Sequence, residues 1–357
     1  MSAALDDPDL AEAIRMLRDS AAGIAPREGD RRRIRALRFQ SPGFDPAIWR
    51  QMGELGWIGL RLPEEQGGAG LGMQAFCALA EELGAALAPE PLVAGALSAR
   101  VLAAAGAVAP LGRLLAGEAL ILTAWQERAN SLDAPGAADA PRLFLPMADG
   151  AEAFILPQRA TGGFDLYLQP AQGASLVLEP TQDGGSYGTL RAGNGQHVGS
   201  VSAAVLEEAL DEAVLATAAT LLGVADQAFA LTLDYLRTRQ QFGKPIGSFQ
   251  ALQHRAAELK VQLALTRASV EAAAVLCDRL GAPAAARRGA IARAKARAAD
   301  TALLVTRQAV QLHGGIGYTD EADIGLYLRR AMVLANQFGS AALHRRRFAT
   351  AQPEAES

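Results

Sequence analysis

Two stretches of this 357-residue sequence hold residues suited to gripping an anion. The first is Tyr235-Leu236-Arg237-Thr238-Arg239-Gln240-Gln241-Phe242-Gly243-Lys244-Pro245-Ile246, followed by Phe249-Gln250. A helix ending in arginines and meeting a glycine turn leaves guanidinium groups free, and arginine's planar fork donates paired hydrogen bonds that match phosphate. The same arginines would also complement a helix C-terminus, so the pattern alone leaves both readings open. The second stretch is Gln311-Leu312-His313-Gly314-Gly315-Ile316-Gly317-Tyr318. Its paired glycines permit close approach of a ligand or of another backbone, and equally suit a tight turn after a helix. It is no dinucleotide fingerprint, because it follows a helical pattern and not a strand; the Gly68-Ala69-Gly70-Leu71-Gly72 loop fails that test too.

The elements that would position these residues can be read from texture. Up to about Leu120 the apolar spacing is helical, with Leu10, Ile14 and Leu17 on one stripe and Ile48, Met52 and Leu55 on another. A turn at Pro63-Glu64-Glu65 and a glycine loop to Gly72 precede a helix from Met73 that ends before Gly84. From Ile121 to about Val201 come short apolar runs: Leu143-Phe144-Leu145, Phe154-Ile155-Leu156, Leu166-Tyr167-Leu168 and Leu176-Val177-Leu178. Glycines and prolines separate them, as in the strands of a small sheet or barrel. Long helices then return over Leu206–Arg239, Phe249–Leu280, Ala284–Leu312 and Asp320–Phe348, which predicts an antiparallel four-helix bundle. The expected fold is mostly α with an inserted β domain: a helical domain over 1–120, a β domain over 121–203 and the bundle over 204–357.

Composition narrows the function classes. Half the residues are hydrophobic, 20% are charged and the formal net charge is −4, so nothing favours nucleic acid or an anionic membrane. The basic run Arg345-Arg346-Arg347 suits a solvated helix end. Cys77 and Cys277 are far apart within apolar helical patterns and read as buried thiols, and with four histidines they supply no zinc-site spacing. The N-terminal stretch lacks the basic and apolar regions of a secretory signal. The apolar stretch Leu92–Leu115 is interrupted by Arg100, Pro110 and Arg113, against a membrane span. The sequence therefore predicts a cytoplasmic protein with no membrane partner and no metal site.

Taken in order, these segments resemble the acyl-CoA dehydrogenase family. The resemblance runs from about Trp49 to Arg347. It includes the Trp57–Gly72 loop, the Glu81-Glu82-Leu83-Gly84 helix ending, Arg239-Gln240-Gln241-Phe242-Gly243 and the Gln311–Gly317 run. It implies a helical domain, a middle β domain and a C-terminal four-helix bundle, with FAD held between subunits. By the resemblance Arg239 binds the FAD pyrophosphate of a neighbouring subunit, with Gln241, Phe242 and Gln250 nearby. Gln311, Gly314 and Gly315 line the adenosine end, and Ser340 stands where the family has a cofactor-contacting threonine.

The family reaction is α,β-desaturation of an acyl-CoA thioester, in which a carboxylate removes the α-proton and the β-hydrogen leaves as hydride to the flavin. That carboxylate must lie within reach of the α-carbon. In most members it stands 27 residues after the glutamine of the Gln-x-x-Gly-Gly motif, which here is Phe338. A minority place it 29 residues before the phenylalanine of the Arg-x-x-Phe-Gly motif, which here is Ala213. Glu212 is adjacent, but one helical residue is a rotation of about 100°, so it becomes a candidate only through a helix irregularity. The β domain departs too: Gln126, in Ala124–Arg128, replaces a flavin-contacting threonine, Leu132 sits near an expected serine, and no clear Trp-x-Leu-Asn-Gly hairpin is present.

These departures resemble the small subunits of bacterial heteromeric acyl-CoA dehydrogenases, which act on bulky thioesters such as steroid side-chain or dicarboxylic acyl-CoAs. Three readings follow: a subunit whose base comes from a partner in a heterotetramer; a homo-oligomer using Glu212; or a non-catalytic structural paralogue. The family further implies an electron-transferring flavoprotein as the onward acceptor.

Overall fold

The computed structural model describes residues 8–137 and 139–351. Six helices come first: α1 (Pro8–Ile24), α2 (Arg32–Leu37), α3 (Pro46–Glu54), α4 (Met73–Ala85), α5 (Leu92–Ala104) and α6 (Val108–Leu115). Seven strands follow: β1 (Ile121–Thr123), β2 (Arg142–Pro146), β3 (Ala153–Ala160), β4 (Gly163–Pro170), β5 (Leu176–Pro180), β6 (Ser186–Leu190) and β7 (Gln196–Ser202). The chain closes with α7 (Ala203–Thr238), the short pair β8 (Gln240–Gln241) and β9 (Lys244–Pro245), then α8 (Gln250–Asp278), α9 (Ala284–His313), α10 (Ile324–Leu334) and α11 (Ala341–Ala351).

By compactness the chain divides into two units, one holding Arg32–Phe76 with Pro89–Val214, the other Cys77–Ala88, everything from Leu215 on and the segment up to Arg31. In the first of these, the apolar runs expected as strands lie in β2 to β5. They build a four-stranded sheet in the order β1-β3-β4-β7 and a three-stranded sheet β2-β6-β5. Pairing is antiparallel except between β1 and β3. Strands β6 and β7 carry no strong apolar run, which is why periodicity passes them over, and β1 is only three residues long. Helix α3 starts where Asp45 accepts a hydrogen bond from the Ala47 N–H and Pro46 sets the first turn; Gly56, at φ 72°, follows its end. Helix α5 is buried nearly all round, consistent with its almost uninterrupted run of alanine, leucine and valine.

In the other unit, α4 crosses α7 at backbone contact. A Cβ added at Gly84 would sit 2.2 Å from the Thr220 carbonyl oxygen, and one at Gly223 would sit 1.9 Å from that of Glu81. Beside the crossing, the buried Glu81 carboxylate accepts hydrogen bonds from Arg267 of α8 at 2.6 and 3.0 Å, and Glu82 accepts one from Arg27 at 2.9 Å. Burial alone would push the Glu81 carboxyl up; the bonds and charge of Arg267, with Arg18 and Arg27, carry it below its usual range. At the end of α4, Tyr327 donates to the Ala85 carbonyl at 3.0 Å and accepts from Arg31 at 2.7 Å. The Glu-Glu-Leu-Gly ending is thus a structural joint.

Two expectations, on the last helix and on the cysteines, need correction. The single helix over Asp320–Phe348 is two helices, because Phe338 and Gly339 take positive φ (55° and 97°) in the stretch between α10 and α11. Among the described residues α7 is long and apolar enough to cross a membrane, and 78% of its most apolar window is buried in the protein. Of the two cysteines expected inside, Cys77 is buried and Cys277 only partly so.

The crossing yields a test. Gly84→Ala forces two backbones apart, an overpacking that should cost about 3 kcal/mol, seen as a lowered midpoint in thermal or urea unfolding. A variant as stable as the parent would show that the helices yield without cost.

Candidate functional site

The two anion-gripping stretches meet at one end of the bundle. Tyr235, one turn before Arg239 on α7, stacks on His313, the last residue of α9, with ring centroids 4.5 Å apart. His313 Nδ1 lies 2.8 Å from the Ala309 carbonyl oxygen, and burial pushes the imidazole below its ordinary pKa, which favours a neutral ring. Beyond Arg239 the chain makes a two-residue hairpin, β8 to β9, whose central residues Phe242 and Gly243 both have positive φ (54° and 77°). Positive φ at both central positions is what a type I′ turn demands, and it suits right-twisted strands. Glycine adopts it freely, but a phenylalanine there carries a steric cost of about 1–2 kcal/mol.

Despite that cost, the Phe242 ring is 89% exposed, in edge contact with Phe249. Arg239, Gln241, Gln250 and Gln311 are exposed too, and no described residue pairs with the Arg239 side chain. The glycines divide by need. Gly314 has φ 66°, and a Cβ on Gly317 would sit 2.5 Å from the Val310 carbonyl oxygen, so the chain itself requires both. Gly315 has neither constraint and faces open space. An unpaired arginine, a strained exposed aromatic and a glycine that packing does not explain fit a phosphate-bearing ligand lying across this end of the bundle.

The position of the usual base lies elsewhere in this unit. Lys295 is fully buried in α9, about 18 residues before His313 and so roughly 27 Å along the helix from it. Its Nζ donates to the carbonyl oxygens of Leu334, Ala335 and Gly339 at 3.3, 3.0 and 3.1 Å. Burial pulls the ammonium down to about 7, but three acceptors match its three N–H bonds and the end of α10 favours a cation. His344 of α11 donates from Nε2 to the Phe338 carbonyl at 2.8 Å, and its Nδ1 is buried without a hydrogen-bond partner. These bonds fix the positive-φ stretch that carries Phe338, whose side chain is buried. Ser340 opens α11, its Oγ accepting from the Leu343 N–H at 3.3 Å, a capping role that sequence reasoning did not assign. Sequence reasoning also missed Lys295; the signal available was a lone lysine in an alanine-rich stripe.

In the sheet-containing unit, Ala213 is buried and Glu212 lies beside it at a cleft. Both Glu212 oxygens are engaged: Arg61 donates to Oε1 at 2.7 Å, and Arg100 Nε is 3.3 Å from Oε2. Gln126 turns its amide onto its own loop, donating to the carbonyls of Arg128 (3.0 Å) and Ser131 (3.4 Å). The buried Arg142 then ties Glu127 to the Ala137 carbonyl, closing that loop on itself. The Trp57–Gly72 loop is self-contained as well: a Cβ on Gly68 would meet the Leu62 carbonyl oxygen at 2.1 Å.

A helical N-terminal region, a middle β region and a C-terminal helical bundle make up the acyl-CoA dehydrogenase fold. Residues 11–115 match the N-terminal domain model of acyl-CoA dehydrogenases, and residues 203–352 match the C-terminal domain model. The chain is 31% identical to acyl-CoA dehydrogenase IpdE2 of Mycolicibacterium smegmatis over 92% of its length and 96% of that protein's. Among solved structures it resembles a subunit of the Tcur3481–Tcur3483 steroid ACAD, at 28% identity and a TM-score of 0.84 over 96% of this chain and 98% of that one. It also resembles a chain of the ChsE4–ChsE5 complex from Mycobacterium tuberculosis, at 25% identity and a TM-score of 0.82 over 97% and 98%. The chain belongs to the acyl-CoA dehydrogenase family.

The buried histidine sets an acid limit. Burial first, then the charge of Lys295 on α9 and of Arg347 on α11, pull His344 from 6.5 to about 3, against the bond to Phe338. A depressed histidine keeps its full contribution above pH 6.5 and loses it as pH falls towards 3, by up to about 5 kcal/mol at about 1.4 kcal/mol per pH unit. Urea midpoints measured across this interval should fall less steeply for His344→Leu than for the parent; parallel curves would remove His344 from the account.

Proposed function

We propose that this chain is the base-lacking subunit of a heteromeric FAD-dependent acyl-CoA dehydrogenase, working beside a partner that supplies the catalytic carboxylate. The observation that carries this reading is what stands at the two family base positions. Phe338 and Ala213 are both buried and apolar, and neither side chain can accept a proton. Glu212, the nearest acid, is turned to two arginines. Those ion pairs count against the homo-oligomeric alternative in which Glu212 is the base.

In this reading, Arg239, Gln241, Phe242, Gln250, Gln311, Gly314 and Gly315 grip the phosphate and adenosine portion of an FAD shared with a neighbouring subunit. When bound, FAD supplies the acceptor for the hydride leaving the β-carbon. The exposure of Arg239 and Phe242 and the free space over Gly315 support a cofactor reached from outside the chain. Ser340 sits roughly 27 Å along α9 from this cluster, so its assignment to the cofactor rests on family position and not on proximity. The likeness to chains of the Tcur3481–Tcur3483 and ChsE4–ChsE5 assemblies supports a heteromer and a bulky, steroid-derived acyl group. Family membership supports an electron-transferring flavoprotein as the onward acceptor.

Co-expression with a base-bearing homologue tests this. The purified pair should be yellow and desaturate a steroid side-chain thioester, while the chain alone should show less than about one hundredth of that rate. Glu212→Gln in the pair should leave turnover within about twofold, and Arg239→Ala should release flavin. Full activity from the isolated chain would overturn the heteromeric reading; a colourless pair would favour a structural paralogue.

A further inference from the structure

The cleft at Ala213 lies wholly within the sheet-containing unit, enclosed by segment 58–62, α5 and the first turns of α7. Its wall is apolar, with Ile58, Leu60, Leu62, Phe76 and Leu97 among the lining residues. Three charged side chains interrupt it: Arg61, Arg100 and Glu212. Each comes from a different element, and all three are largely withdrawn from solvent, at 18%, 30% and 15% exposure. Around them only about 10 Å³ of cavity is left, room for roughly one water.

We propose that the Arg61–Glu212–Arg100 triad is a plug that seals the acyl-chain position of this subunit, so that it takes no thioester of its own. This rests on the proposed function, because Ala213 marks that position only within the family reading. The physical argument is one of competing costs. Charges in an apolar wall are tolerable when paired, and separating them leaves uncompensated ions in a medium that solvates them poorly. An alkyl chain entering the cleft has to part the carboxylate from its arginines and offers no hydrogen bond in return. The triad also clasps segment 58–62, α5 and α7 to one another, so opening the cleft would loosen three elements together. A partner that supplies the base then also holds the substrate, giving one thioester for each pair of chains.

The test uses a fatty acyl-CoA carrying a diazirine on its alkyl chain, photolysed with the full-length chain alone and with its pair, followed by peptide mapping. In the parent, the peptides spanning 92–104 and 203–214 should stay unlabelled. Arg61→Ala/Arg100→Ala/Glu212→Ala, which empties the cleft, should raise their labelling at least tenfold. Arg61→Met/Arg100→Met/Glu212→Met, which keeps bulk but removes the charges that an alkyl chain would have to part, should raise it too; a folded methionine triple that stays unlabelled overturns the ionic plug. Should the alanine triple fail to fold, Arg100→Ala, the most exposed of the three, is read the same way. Labelling of the parent at these peptides, or none in a folded opened variant, overturns the plug. Because labelling of this chain needs neither turnover nor flavin, its outcome is separate from that of the co-expression experiment.

Discussion

Everything in the helical unit is organised around two peptide backbones in contact where α4 crosses α7. Neither Gly84 nor Gly223 has space for a methyl group, and the Glu81 carboxylate beside them binds the guanidinium of Arg267. Close packing of backbones forfeits side-chain burial at the crossing, and the joint recovers it in charge-assisted hydrogen bonds. Arg27 and Arg31 bring the N-terminal segment into the same network through Glu82 and Tyr327. A long apolar α7 is thereby anchored midway, and its far end delivers Arg239 to a defined place.

Once that frame is fixed, family motifs sort by whether the chain's own packing explains them. The glycine loop of 67–72 and the Glu-Glu-Leu-Gly ending are explained: Gly68 and Gly84 meet backbone, Gly67 and Gly70 take positive φ, and Glu81 and Glu82 meet arginines of the same unit. Arg239, Phe242 and Gly315 are not. A guanidinium without a carboxylate, an aromatic ring in solvent on a strained turn, and a glycine without a steric reason are features that a second molecule would complete. The same criterion reads Gln126 and Glu127 the other way, since both spend their hydrogen bonds inside their own loop.

The position at which most family members carry a base holds a buried phenylalanine here. Phe338 sits on a backbone held by a buried lysine and a buried, poorly basic histidine. Lys295 serves three carbonyl oxygens at a helix end, leaving no hydrogen for another acceptor. His344 uses one nitrogen for the Phe338 carbonyl. The ionisable groups near this position are therefore structural, and Glu212, the carboxylate next to Ala213, is held by two arginines.

Apolar periodicity and glycine punctuation, which are local properties, determined that the chain is helical at both ends with strands between, and placed the Arg-Gln-Gln-Phe-Gly and Gln-Leu-His-Gly-Gly runs at helix ends. Counting from those runs was enough to show Phe338 and Ala213 where an acid is expected, because the spacing of a motif is read along the chain whatever its fold. Tertiary structure alone decided the rest. The break between α10 and α11 arises because Lys295, some forty residues away, pairs with carbonyls that a continuous helix would have used itself. The stacking of Tyr235 on His313 joins two stretches about eighty residues apart. Glu212 is one residue from a catalytic position in sequence, yet Arg61 and Arg100, drawn from separate elements, fix where its oxygens point. Side-chain partners of this kind depend on which elements fold against each other, and no local pattern carries that information.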